Sequence, residues 1–75
     1  MKINKIKSIG ELNFRCQDDG PKGEPYRQLA LIGARNLGGE PTKDWRKAIQ
    51  WIQLNAMETD EAGVVDEINF IRDLV

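Results

Sequence analysis

The 75-residue chain has no histidine, one cysteine, one serine and three prolines, and no long apolar run interrupts its mixed-charge composition. Each absence removes a class of function. Without histidine, and with Cys16 alone, one chain cannot assemble a Cys/His zinc site, and the usual proton shuttle at neutral pH is missing. Ser8 and Cys16 have no imidazole to activate them as nucleophiles. No catalytic residue, metal ligand or cofactor is therefore expected, and the chain reads as non-enzymatic. A lone cysteine cannot close an intrachain disulfide, which fits a reducing, cytoplasmic location. No apolar stretch reaches the roughly 18 residues of a membrane-spanning helix, so no membrane partner is expected. The opening Met1-Lys2-Ile3-Asn4-Lys5-Ile6-Lys7 is basic but leads into no apolar segment, unlike a secretory signal.

What is present is 40% hydrophobic and 31% charged, the composition of a small soluble domain with one core over residues 1–75. A domain of this size buries only about 60–65% of its unfolded surface, so partner contacts matter to its stability. The formal net charge of -1 conceals a sorting of charge along the chain. Residues 1–47 hold ten basic and six acidic side chains, net +4, while residues 48–75 set Arg72 alone against six acids, net -5. Such a chain either neutralises itself by folding one half on the other, which is the expectation, or pairs head to tail with a copy.

Turn chemistry divides the chain into an N-terminal arm and three helical stretches. The loop Asp18-Asp19-Gly20-Pro21-Lys22-Gly23 is followed by Glu24-Pro25, where proline in the first helical turn opens a helix over 24–37 that Gly38 or Gly39 ends. Pro41-Thr42 opens a second over 42–57, with the threonine hydroxyl as cap. Thr59 or Asp60 opens a third over 60–75. In the arm, residues 1–17, Ile6, Ser8, Gly10, Leu12, Phe14 and Cys16 alternate with polar residues at the period of a strand. Ser8 and Glu11 have the spacing of a helical capping box, and Ile9, Leu12 and Cys16 share a helical face. The strand is favoured over the helix, as a short hairpin docked on the helices. The expected fold is thus mainly α, with a minor α+β component: three helices and a short N-terminal β element.

The helical wheels leave apolar groups over. On the second helix Trp45, Ala48, Ile49, Ile52 and Ala56 form a core stripe, while Trp51 and Leu54 project elsewhere, beside Lys47. On the third, Val64, Ile68, Ile71 and Val75 point inward, Phe70 and Leu74 widen the stripe, and Asp66, Asn69 and Asp73 form the solvated face. Leu31 stands between Arg27 and Arg35, apart from the core face of the first helix. Leu31, Trp51, Leu54 and Phe70 exceed one three-helix core, so either the arm or a second chain covers them. Lys43, Arg46 and Lys47 crowd the second helix's N-terminus, where the macrodipole disfavours cations; pairing with the acidic third helix or an acidic partner surface would offset this.

Other motifs are weaker. Gly33-Ala34-Arg35-Asn36-Leu37-Gly38-Gly39 lacks the Lys-Ser/Thr of a phosphate loop, and the Gln17–Glu24 stretch lacks the alternating ligands of a calcium site. The Gly38–Pro41 linker is longer than a helix-turn-helix turn, and a pI near 5.3 is wrong for a stand-alone nucleic-acid binder. The expected function is a small protein–protein interaction module, an adaptor, inhibitor or regulator that binds a protein partner or forms a homodimer. Its contact residues would be Leu31, Lys47, Trp51, Leu54 and Phe70. The alternative is a nucleic-acid-binding regulator that uses Lys43, Arg46, Lys47 and the basic arm.

Overall fold

Capping chemistry decides where this chain turns. In the computed structural model, which describes residues 3–74, Ser8 Oγ accepts a hydrogen bond from the Glu11 amide at 3.0 Å. The Glu11 carboxylate in turn accepts from the Lys7 amide at 2.6 Å. This reciprocal box opens α1 (Ile9–Cys16) and overturns the expected N-terminal strand: the described residues form four helices and no strand. The physical reason lies in the period. Ile9, Leu12 and Cys16 are buried on one helical face, whereas Phe14, which alternation had set on the buried side, is rotated into solvent. Met1 and Lys2 of the expected arm, and Val75 of the expected inner stripe, lie outside the described residues.

The remaining caps set three longer helices. Pro25 sits in the first turn of α2 (Glu24–Asn36), and Gly38, at φ +93°, ends it in a Schellman turn: the Gly38 amide donates to Arg35 and the Gly39 amide to Ala34. α3 (Trp45–Glu58) begins three residues later than Thr42 would dictate, because Asp44 is the cap, its carboxylate accepting from the Arg46 amide at 3.0 Å. The Thr42 hydroxyl instead accepts from the Asp44 amide, tightening the turn before the helix. Asp60 accepts from the Ala62 and Gly63 amides at the start of α4 (Glu61–Leu74).

Fifteen apolar side chains close one core, drawn from all four helices and from Ile6 in the N-terminal segment. Among the described residues none of its members is charged or polar. Leu12, Leu29, Ile52 and Ile68 are fully enclosed, each contributing about 1.5–3 kcal/mol of transfer free energy. α2 is the hub. Gly33 presents no side chain where α4 crosses it, and Ile68 fills the gap, since a Cβ at Gly33 would collide with Ile68 Cδ1. Ile52 of α3 reaches the same point.

The N-terminal segment is tied to α4 by polar contacts. Asn69 accepts from the Ile6 amide at 3.0 Å and donates to the Ile6 carbonyl at 2.9 Å, the two bonds a neighbouring strand would have made. Arg72 donates to the Ile3 carbonyl at 2.7 Å. Asn69 therefore belongs to a part-buried clamp, not to the solvated face expected of it.

Gly33→Ala gains helix propensity of about 1 kcal/mol but overpacks the crossing, and a net loss of about 1–2 kcal/mol is expected in urea unfolding. Adding Ile68→Val removes the opposing methyl, so the double variant loses less than the two single losses combined. Additive losses would contradict the contact.

Candidate partner interface

At about 100° per residue, α3 carries two faces. Ala48, Ile49 and Ile52 are buried, with Trp45 and Ala56 packed against them. Lys47, Trp51, Leu54 and Glu58 lie within about 60° of one another on the opposite side, all exposed. Trp51 is held there. Its indole edge lies over Gly39, where an added Cβ would come within 2.9 Å of Cδ1, and its N–H donates to the Leu37 carbonyl at 3.4 Å. The Schellman turn after α2 thus forms a seat for the ring. Beside it is a cleft of about 550 Å³ between the Gly38–Thr42 turn and α3, with Trp51 and Lys47 among its walls.

The sequence-derived contact residues separate into three groups. Lys47, Trp51 and Leu54 form one stripe on α3. Leu31 is half-buried and packed against the core, so it belongs with the interior. Phe70 is exposed on α4, with Leu74 one turn further along. Residues missed by the sequence reading are Met57 and Phe14, both exposed, the latter because the strand period hid it.

The expected basic patch divides as well. Lys43 precedes α3, Arg46 stacks over the Trp45 ring at 4.8 Å, and Lys47 points to the Trp51 side. None of the three is in an ion pair among the described residues. The ion pairs there are Arg15–Glu11, Arg27–Glu24 and Arg72–Asp73, all between residues at most four apart. Among these residues α2 of the basic half packs on α3 and α4, and no ion pair joins the two halves.

No family model, curated protein or solved structure matches the chain. The chemistry must be read from the side chains alone. Among the described residues no group of three or more Cys, Asp or Glu could hold a metal ion, and no helix is long and apolar enough to cross a membrane.

The second cleft, about 710 Å³, runs between α1 and α3; its walls include four amides, Asn13, Gln17, Gln50 and Gln53, together with Arg27 and Cys16. Its thiol is inert. Cys16 is 1% exposed, and burial pushes its pKa up to about 11 against a smaller lowering by Arg27. Arg27 is itself engaged, donating to the Cys16 and Asp18 carbonyls and closing the C-terminal end of α1. The exposed Glu24 carboxyl is held below its usual pKa, first by the Gln28 hydrogen bond and then by the one from Nη2 of the same Arg27 guanidinium.

Because the folded thiol holds its proton more tightly than the unfolded one, whose pKa is about 8.5, its contribution is intact below that pH. It is lost as pH rises toward 11. Urea unfolding of wild type and Cys16→Ala at pH 8 and pH 10.5 is expected to show the wild-type advantage shrinking by on the order of 2 kcal/mol. A pH-independent difference would contradict the burial of the thiol.

Proposed function

We propose that the chain is a non-enzymatic protein–protein interaction module working in the cytoplasm, with Lys47, Trp51 and Leu54 of α3 as its contact face. The observation that carries this reading is that the core closes without them. Fifteen apolar residues complete the interior, yet Leu54 and part of Trp51 on α3, and Phe70 and Leu74 on α4, remain in solvent, and apolar groups gathered at a surface are stabilised by covering them. Tryptophan beside a basic residue is enriched among the side chains that dominate binding energy. The seat formed by Gly39 and Leu37 adds to this, because an indole already held in one orientation loses little freedom on binding. Lys47 at the edge of the apolar pair would set orientation and association rate more than affinity. A buried free thiol is compatible with a reducing compartment. The nucleic-acid reading has less support: Arg46 and Lys47 serve different sides of α3, so the bases do not line one groove.

Trp51→Ala is expected to cost about 1 kcal/mol of stability, and Trp45→Ala, which opens the edge of the core, about 2–4 kcal/mol. Trp51→Ala and Leu54→Glu should both abolish complexes, with a copy or with a foreign protein, that wild type forms in sedimentation and capture experiments. Equal, large stability losses for the two tryptophan variants, with complexes unchanged, would show Trp51 to be structural.

A further inference from the structure

The exposed stripe of α3 has a counterpart on the same molecule. Along α4, Gly63, Glu67, Phe70 and Leu74 fall within about 60° of one another, on the side opposite buried Val64, Val65, Ile68 and Ile71. Both stripes are open to solvent: Trp51 is 38% exposed, Leu54 47%, Phe70 58% and Leu74 69%. Their order matches. On α3 a cation, Lys47, precedes two apolar groups, Trp51 and Leu54; on α4 an anion, Glu67, precedes two, Phe70 and Leu74. Each set runs over eight residues, seven helical rises or about 10 Å. Laid side by side in parallel, they oppose Lys47 to Glu67, Trp51 to Phe70 and Leu54 to Leu74. Lys43, just ahead of α3, then comes level with Gly63, within one turn of Asp60 and Glu61, and Glu58 lies one turn past the paired segment. An antiparallel arrangement would set both charges against apolar groups.

Resting on the interaction reading above, we infer that the partner is a second copy of this chain, the α3 stripe of one protomer packing on the α4 stripe of the other. Charge complementarity selects this occupant. Among the described residues no ion pair joins the basic half to the acidic half, and neither Lys47 nor Glu67 is in one, so both side chains are available to an outside partner. A second copy supplies the complement to both at once. The contact is made twice if the two protomers are related by a twofold axis, and once per junction if they add head to tail.

Charge reversal tests the pairing. In sedimentation velocity at low salt, wild type self-associates, and Lys47→Glu or Glu67→Lys alone weakens association about tenfold or more, because each sets like charges opposite one another. Both positions are exposed, so thermal unfolding of each variant stays near wild type. An equimolar mixture of the two variants, and the Lys47→Glu/Glu67→Lys double variant, recover association. Wild type that stays monomeric at about millimolar concentration overturns self-pairing, as does a dimer indifferent to both reversals. If a monomeric wild type still captures a foreign protein and Leu54→Glu abolishes the capture, the interaction reading survives without self-pairing; if Leu54 matters to neither, both readings fall.

Discussion

The structure depends on one close crossing. α2 can carry both longer helices only because Gly33 leaves its surface bare where Ile68 of α4 and Ile52 of α3 converge, with Ala30 and Ala34 keeping the same face low. Interiors pack to crystal-like density, so a single methyl at that point changes how near two helices approach. A glycine that weakens α2 locally is thus what lets the core close.

Closure at that crossing also determines what stays outside. Once Ile52 and Ile68 point at α2, the turn of the helix carries Leu54 and Phe70, two positions further along each chain segment, to the far sides of α3 and α4. Trp51 is a partial exception, since the Schellman turn brings Gly39 under its indole edge. Much of the apolar surplus of this small domain is therefore a geometric consequence of its core, and on α3 and α4 it follows Lys47 and Glu67, charges of opposite sign. Among the described residues the ion pairs are all local, and none joins the two halves of the chain.

The helical class was legible in the sequence because capping residues and the 3.6-residue period agree over the longer stretches. The N-terminal segment was misread because Leu12 and Cys16 satisfy both periods. What decides it is remote: Asn69 takes up both backbone groups of Ile6, so no strand partner is needed, and Ser8 is free to cap α1. The start of α3 slipped for a related reason, two capping residues standing two apart with the carboxylate of Asp44 taking the helix and the hydroxyl of Thr42 the turn before it. Of the candidate contact residues, the projection of Leu54 and Phe70 was readable from a wheel. The half-burial of Leu31 and the seat of Trp51 were not, because both depend on where another element approaches.

The central claim is that the Trp51 stripe is covered by a second protomer. Its most direct test is the emission of Trp51 as the sole tryptophan, in a Trp45→Phe background, followed across protein concentration at low salt. The account predicts a blue shift as concentration rises, reversed by added salt as the opposed charges are screened. Emission independent of concentration up to about the millimolar range would contradict it.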